Sequence, residues 1–512
     1  MRNEPVLVSG GTGYVGGRLI PLLLDSGHCV RVLGRSLAKL GSRPWAGHKN
    51  IEMAQGDFLD YASLEKATKG CWAAFYLVHS MNPRHKDFAL ADRNAAQNMA
   101  KAASRARLER IIYLGGLGVA GKTLSKHLRS RTEVARILQS GSVPTTFLRA
   151  AMILGSGSAS FEMMRYLVER LPVLITPRWV RNPVQPIAIR NVLGYLKGCL
   201  EHDETIGRTF DIGGTDVLTY KRLMEIYAEV AGLRKRWIIP LPVLTPRLSS
   251  YWIHLVTPVP SHIARPLAEG LRNPVVCQEN RIRSIIPQHL LDCRETIRLA
   301  LGLVKEKCVD TCWADAGPIT YPEWAQCGDI LYAGGAVMES GYRVVLDATP
   351  DEVWEPIARI GGRRGWYSSR FLWALRGLMD RLSGGMGLRR GRPDPVRLRP
   401  GDPVDFFRVL EVREAEQLSL LSEMKLPGEA VLEYRLHSLP EGGTELQQLS
   451  RFLPKGISGL CYWYILYPFH QYVFKGMLKG IARSVGKTIL DAPDRFAPRL
   501  PHVCRIDPKV NT

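Results

Sequence analysis

The chain of 512 residues has little of what marks secreted, fibrous or disordered proteins. Its ten cysteines form no even ladder of short spacings, which excludes a disulfide scaffold. Cys308, Cys312 and Cys327 cluster loosely, but without a paired C-x-x-C or a nearby His a zinc reading lacks its ligand spacing. Internal repeats, low-complexity tracts and a Lys/Arg tail are all absent. No secretory leader precedes the first apolar run, so a reducing cytoplasm is the expected setting. Acids are in deficit: 48 Asp and Glu against 69 Lys and Arg leave a net charge of +21, spread as scattered Arg. That balance suits anionic ligands, nucleic acid or a membrane surface, and an Arg-rich genome produces it too. With no recognition helix, zinc finger or stacking-aromatic platform, no nucleic-acid partner is expected. One stretch, Gly456 to Phe474, has no Asp, Glu, Lys or Arg. It nearly reaches the ~20 residues a bilayer span needs. Pro468, His470 and Gln471 argue against spanning, so the expectation is a buried or interfacial helix with peripheral membrane contact as an option.

What is present is enough apolar residue, 46%, for two to four cores. The first half alternates β-type runs with helical patterns, the signature of a parallel sheet covered by helices. Strands are expected at Val6–Val8, Cys29–Leu33, Ile51–Gln55, Ala73–Val78, Arg110–Leu114 and Thr145–Arg149. Helices are expected at Tyr14–Asp25, Ser63–Thr68, Asp87–Arg107 and about Lys126–Gln139. Six strands and five connections make a doubly wound α/β fold. Pro21 falls inside the first helix, where it should cost up to about 3 kcal/mol or bend the axis. Residues 161–303 are less regular and Pro-punctuated, and read as a substrate-covering extension of a domain spanning 1–303. Residues 304–341, rich in Cys, Gly and Pro, read as a linker. From 342 to 490 the pattern is a strand, a helix opened by TPDEVW, four strand-like runs and a long apolar helix from Gly456 to Val485. That order implies a curved sheet gripping a helix around a cavity; residues 491–512 are left as a tail.

VLVSGGTGYVGGRL sets Gly10, Gly13 and Gly16 between a strand and a helix, with Gly11, Thr12, Tyr14 and Val15 completing the turn. Glycine is needed there because the turn is tight, the backbone must approach a pyrophosphate, and the phosphate sits on the helix N-terminus. The second strand ends in Gly34, Arg35 and Ser36, where an NAD site has an acidic residue. Arg35 suits a 2′-phosphate, favouring NADP(H) over NAD(H). Asp57, in QGDFLD with Phe58, is placed to accept from the adenine amino group or to cap a helix.

GGTGYVGG, LGRS, QGDFLD, YLVHSM, IIYLGGLG, QPIAIRNV and GRTFDIGGTDVLTY follow one another as in the atypical or extended branch of the short-chain dehydrogenase/reductase superfamily. Residues 1 to about 300 resemble that branch, including its NmrA-like members. The resemblance implies a Rossmann domain with Leu77, Val78, Leu114 and Gly115 lining the cofactor and Ala150–Ile153 near its nicotinamide end. It also implies a Tyr-x-x-x-Lys pair and a Ser, which this chain lacks. Gly115 and Gly116 stand where the Ser belongs, and His127 and Arg131 fall at the Tyr and Lys positions. His127 can exchange the proton that accompanies hydride transfer and Arg131 can stabilise an alkoxide. Loss of catalysis, or a reaction carried by other residues, stays open beside it.

Residues from RVVLDATPDEVWEPIARIGGRRGWY to RFLPKGISGLCYWYILYPFHQYVFKGM resemble an uncharacterised domain fused behind such modules and are similar to START/polyketide-cyclase helix-grip folds. The resemblance implies an α+β domain holding an unidentified hydrophobic small molecule. Trp366, Trp373, Met424, Trp463 and Tyr464 are candidates to line its cavity or to fill a core. Arg389, Arg390 and Arg392 are candidates for an anionic group or for solvated loop residues. The resulting expectation is an NADP(H)-dependent oxidoreductase with a ligand-holding C-terminal domain. The competing expectation is a non-catalytic NADP(H)-binding sensor or carrier. Oligomeric state is not legible, and no metal is expected.

Overall fold

The computed structural model describes residues 2–78, 88–117, 126–241, 273–305, 337–362, 364–385, 387–389, 391–392, 394–440 and 442–496, with residues 257, 265, 269, 270 and 322 besides. His79, Ser80, Arg390, Cys308, Cys312 and Cys327 lie outside them, as do the side chains of His127 and Arg389. The chain divides into two compact units, Met1–Gly317 and Pro318–Thr512.

In the first unit, β1 (Val6–Ser9), β2 (Val30–Gly34), β3 (Ile51–Gln55), β4 (Ala73–Tyr76), β5 (Arg110–Gly116) and β6 (Thr145–Ala150) match the six runs expected within a few residues. A seventh strand, β7 (Thr209–Ile212), pairs in parallel with β6, so the sheet order is β7-β6-β5-β4-β1-β2-β3, all parallel. Its four residues give too short an apolar run to stand out from the extension around it. Between the strands run α1 (Gly16–Asp25), α2 (Leu37–Gly41), α3 (Tyr61–Thr68), α4 (Phe88–Ala106) and α5 (Lys126–Gln139).

Alternation along β1 sets the layers, because successive strand residues point to opposite faces. Val6 and Val8 join Leu19, Ile20 and Leu23 of α1 and Val192 and Leu196 of α7 (Ile189–Glu201) in one core. Leu7 joins Leu64 of α3, Met99 of α4 and Leu138 of α5 in the other. Each such fully buried side chain contributes about 1.5–3 kcal/mol. Both faces are therefore covered, as a parallel sheet requires. Pro21 stays within α1 with its ring exposed. The carbonyl it cannot serve belongs to Gly17, which has no side chain to add to the crowding.

The extension has its own core, built by α6 (Ala159–Arg170), α8 (Tyr220–Val230) and α9 (Cys293–Lys305) through Phe161, Val168, Leu223, Tyr227 and Ile297. It is tied to the sheet at Asp211 of β7, whose carboxylate accepts from Arg149 Nε at 2.6 Å and from the Gln278 amide at 2.8 Å.

The second unit is an antiparallel sheet. Its strands are β8 (Met338–Leu346), β9 (Phe407–Arg413), β10 (Gln417–Ser422), β11 (Gly428–Ser438), β12 (Thr444–Pro454) and β13 (Ile489–Phe496), in the order β9-β10-β11-β12-β8-β13, with Pro403–Val404 at the β9 edge. The helices are α10 (Pro350–Ala358), α11 (Arg370–Leu382) and α12 (Gly456–Val485). Thr349 caps α10 in a reciprocal capping box with Glu352, which is why TPDEVW was legible as a helix start. Val473, Phe474, Met477, Leu478 and Ile481 of α12 pack with Val344, Leu432, Tyr434 and Leu446 of the sheet.

Two elements depart from expectation. The sheet extends past residue 490 into the expected tail: Ile489–Phe496 pairs with β8 through its backbone, although most of its side chains are exposed. An edge strand with two solvated faces has no apolar alternation to announce it. α11 arises inside the Arg/Gly-rich region, where Arg370, Arg376, Asp380 and Arg381 and the flanking glycines read as a loop. No helix among the described residues is long and apolar enough to cross a membrane.

Candidate nucleotide site at the carboxyl edge of the parallel sheet

Strand order reverses between β1 and β4, so the crevice of an open α/β sheet lies over the carboxyl ends of these two strands. Ser9 closes the base of that crevice. Its hydroxyl donates to the Phe75 carbonyl and accepts from the Leu77 amide, both at 2.8 Å. This bridge was not read from the sequence, although the Ser ending VLVS was the available signal.

The turn above it requires glycine. Gly10 has φ +68°, and a Cβ there would lie 3.0 Å from the Leu77 carbonyl oxygen. The Gly13 amide donates to the Gly10 carbonyl at 2.8 Å. A Cβ on Gly16 would sit 2.4 Å from that same oxygen, and one on Gly11 would sit 2.3 Å from Val32 Cγ1. Backbone thus crowds backbone at Gly10, Gly13 and Gly16, and α1 begins at Gly16 after Val15, with no capping side chain and no acid in its first turn. The helix N-terminus is left to attract an anion.

Tyr14 turns elsewhere. Arg18 stacks on its ring at 4.3 Å and donates to the Ser156 carbonyl at 2.9 Å, and a Cβ on Gly155 would meet the Tyr14 hydroxyl at 2.5 Å. Tyr14 and Arg18 therefore join the glycine turn to the segment after β6. Neither Arg18 nor Gly155 was anticipated, though GSGS after ILG marked a tight turn.

At the end of β2, Arg35 is exposed and its carbonyl accepts from Gln55 Nε2 at 3.2 Å. The Ser36 hydroxyl is engaged as the N-cap of α2, accepting from the Lys39 amide at 3.3 Å. Asp57 closes its own turn, Oδ1 accepting from the Leu59 amide at 3.0 Å, while Asp60 caps α3. Phe58 meets Tyr76 edge-on at 5.2 Å, and its carbonyl accepts from Asn98 Nδ2 at 2.9 Å.

At the end of β5 a Cβ on Gly115 would fall 2.6 Å from the Phe147 ring, which stacks on Tyr113 at 5.0 Å. A Cβ on Gly116 would fall 2.8 Å from Leu128 in the first turn of α5. The place of the expected Ser is thus filled by neighbouring apolar atoms. The Gly116 contact also places the first turn of α5, where His127 lies, beside the carboxyl edge of the sheet.

Arg131, one turn deeper, is buried. Its carbonyl accepts from the Tyr113 hydroxyl at 3.3 Å, and its guanidinium acts electrostatically on Tyr113 and Tyr76. Burial outweighs that cation, and both phenol pKa values lie above the usual range. Asp92 of α4, also buried, accepts from the Ser130 hydroxyl at 3.0 Å. Arg131 therefore belongs to a buried polar cluster linking the sheet to α4 and α5.

In the second unit Arg392 is engaged by backbone, and of the two readings of the aromatic candidates the core-filling one holds for Trp366, Trp373 and Met424. Arg392 donates to the carbonyls of Ile360 at 2.9 Å, Arg397 at 3.1 Å and Asp394, so it staples backbone instead of presenting a free cation; burial lowers its pKa. The candidate cavity residues do not line one space. Trp366 stacks on Phe406 at 5.8 Å and tilts against Trp373 at 5.3 Å, and its indole donates to the buried Asp405 carboxyl at 3.0 Å. Met424 packs against that core. Trp463 stacks separately on Phe452 at 5.8 Å, and Tyr464 is 65% exposed. A different polar row was missed. Tyr434, Gln448 and Tyr342 are direct cross-strand neighbours on β11, β12 and β8, all buried. Among the described residues the Tyr434 hydroxyl and Gln448 Oε1 have no hydrogen-bond partner.

His470 stacks on Phe474 at 5.2 Å and lies edge-on to Trp463 at 5.4 Å. Burial, aided by the Arg376 charge, pushes its pKa down from 6.5 to about 4. The folded state thus holds the ring neutral, and its contribution to stability is complete above the unfolded pKa. It is lost as pH falls from about 6.5 toward 4, by about 1.4 kcal/mol per pH unit and about 3 kcal/mol in all. Unfolding of the intact chain followed across that range should show this slope, and His470→Phe should flatten it; equal slopes would contradict the assignment.

Residues 10–164 match the family model described as NAD(P)H-binding, and residues 332–477 match the one described as Protein of unknown function (DUF2867). The chain is 31% identical over 133 residues to the 3 beta-hydroxysteroid dehydrogenase/Delta 5-->4-isomerase of Mycobacterium tuberculosis, covering 23% of this chain and 34% of that protein. It is 25% identical over 235 residues to the (4-alkanoyl-5-oxo-2,5-dihydrofuran-3-yl)methyl phosphate reductase of Streptomyces griseus, covering 44% of this chain and 74% of that protein. The chain thus spans about one third of the length of the first of these relatives. Among solved structures, the Citrobacter sp. triphenylmethane reductase complexed with NADP(H) is 20% identical with a TM-score of 0.48, over 58% of this chain and 99% of that one. WbmG of Bordetella bronchiseptica in complex with NAD is 16% identical with a TM-score of 0.46, over 60% and 96%. Residues 10–164, with their glycine turn at the switch point of a parallel sheet, thus form an NAD(P)H-binding Rossmann domain, and a DUF2867 domain follows it along the chain.

Proposed function

We propose that the chain is an NADP(H)-dependent oxidoreductase acting on a small hydrophobic carbonyl or alcohol. The observation that carries this reading is the Gly10–Gly16 turn, packed so closely that only a backbone fits between β1, Leu77 and α1. Bound there, the nicotinamide cofactor supplies or takes the hydride. The chain's own residues hold the nucleotide and move the proton.

Arg35 is the reason to favour the 2′-phosphate, since it is exposed at the end of β2 where no acid stands to meet a ribose hydroxyl. Arg35→Ala should weaken NADPH binding about tenfold, or ~1.4 kcal/mol, and leave NADH nearly unchanged. Fluorescence titration with both nucleotides measures this, and an equal effect on the two would contradict the role. In this reading His127, in the first turn of α5, exchanges the proton at the substrate oxygen. Arg131 is its positioning residue, anchoring that helix through Tyr113. The Tyr434–Gln448–Tyr342 row is where the C-terminal domain would hydrogen-bond a largely apolar ligand. Relatives named as reductases, the Streptomyces griseus protein above and cinnamoyl-CoA reductase 1 of Petunia hybrida, support the reductase class.

Two observations favour a second reading, a non-catalytic NADP(H) sensor or carrier: no Tyr-x-x-x-Lys occurs in the chain, and Phe147 fills the place of the Ser. NADPH consumption across a panel of apolar aldehydes and ketones separates the two. Turnover supports the oxidoreductase. Tight binding without turnover, with ligand affinity that changes between NADP and NADPH, supports the sensor.

A further inference from the structure

Two helices of the second unit are apolar on their outer side as well as their inner one. α12 buries Trp463, Val473, Phe474 and Met477, yet Ile457, Tyr464, Ile465, Phe469 and Tyr472 on its opposite side are 81, 65, 68, 53 and 70% exposed. α11 presents a matching outward row, Phe371, Leu375, Leu378, Met379 and Leu382, all exposed at helical spacing, while Leu372 and Trp373 pack partly buried against the core. The helices run side by side in opposite directions: Ser368, just before α11, meets Gly476, and Arg376 Nη2 donates to the Tyr462 hydroxyl at 2.8 Å. A helix that is apolar all round belongs in a core. Single exposed apolar residues are ordinary, but a row running over two adjacent helices marks a surface that binds something.

Charge identifies the occupant. The two helices contain one acid, Asp380, and it is buried with its carboxylate accepting from the Gly387 amide at 2.8 Å and the Lys425 amide at 2.7 Å. Cations rim the face. Arg370 opens α11, Lys455 precedes α12, and after Tyr472 the outward stripe of α12 continues as Lys475, Lys479 and Arg483, all exposed. A second copy would bring the same cations and no acid on this face, leaving the rim uncompensated. An anionic bilayer supplies both an apolar boundary layer for the stripe and phosphates for the rim, and Tyr464 and Tyr472 are of the type that sits at headgroup depth.

We propose that α11 and α12 form a docking face for the surface of an anionic phospholipid bilayer. The helices lie in the interface with Ile465 and Phe469 in the acyl boundary and Lys475, Lys479 and Arg483 on the headgroup phosphates. This surface is independent of the nucleotide site and of any reaction there.

Co-sedimentation of the full chain with phosphatidylglycerol/phosphatidylcholine vesicles, and with phosphatidylcholine vesicles alone, tests it. Binding to the mixed vesicles is expected, at least about tenfold weaker to the neutral ones and at high salt. Ile465→Ser with Phe469→Ser, and separately Lys475→Glu with Lys479→Glu, should each reduce it by about tenfold or more while circular dichroism and thermal unfolding stay unchanged. Peptide-mapped labelling of Cys461, exposed on the same stripe, by a water-soluble maleimide reports whether the face is open in the free chain. No binding to mixed vesicles at low salt would overturn the proposal. So would equal binding to both vesicle types by parent and variants, or a Cys461 that resists labelling because another part of the chain or a second copy already covers it.

Discussion

Gly16→Ala should cost the chain its nucleotide: an affinity loss of at least about 100-fold for NADPH, or ~2.7 kcal/mol, is expected. The added Cβ would fall 2.4 Å from the Gly10 carbonyl oxygen, 2.8 Å from its carbon and 3.2 Å from Gly11 Cα. All three are backbone atoms, so no side chain can swing aside, and relief requires opening the turn. The turn is also what aims amides at the pyrophosphate, so one methyl group removes both the geometry and the close approach. Relieving the clash should also destabilise the first unit by about 1–3 kcal/mol, the usual size of overpacking. Isothermal titration on a variant shown to be folded measures the affinity. Near-parental binding would mean that the nucleotide does not sit on this turn.

His127→Ala should leave nucleotide affinity within about twofold and lower kcat by about 10²–10⁴, the range supplied by a positioned general acid or base. Leu128 abuts Gly116, so the first turn of α5 lies where β5 delivers its carboxyl end, and position 127 is four residues before the buried Arg131. Steady-state turnover with any carbonyl accepted in the panel gives kcat, and the same sample titrated with NADPH gives affinity. Unchanged kcat would pass the proton to another group. Lost binding together with lost kcat would make position 127 structural.

The glycine turn and β1 to β6 were legible because their determinants are local. A both-faces-buried strand reads as an apolar run, and Gly10, Gly13 and Gly16 are demanded by atoms within a few residues and by one neighbouring strand. Roles that depend on distant partners were not legible. Arg392 reads in sequence as a ligand for an anion or a solvated loop residue, and the carbonyls of Ile360, Asp394 and Arg397 that occupy it come from elsewhere in the fold. Tyr14 stood inside the phosphate motif but packs with Arg18 toward Gly155. The five aromatic and Met candidates of the second unit shared a composition, not a cavity, and the Tyr434–Gln448–Tyr342 row emerges only when the register of β11, β12 and β8 is known. Gly115 is the most instructive case. Its sequence shows only that a Ser is absent, whereas Phe147 beneath it shows that a side chain there would have no room.

Native mass spectrometry of the purified full chain after incubation with NADPH decides whether the first unit holds NADP(H) on the Gly10–Gly16 turn, as proposed. One NADP(H) per chain, absent from folded Gly16→Ala, is the predicted result. A chain that remains at its bare mass with NADPH and with NADH, or a Gly16→Ala chain that retains the nucleotide, would contradict it.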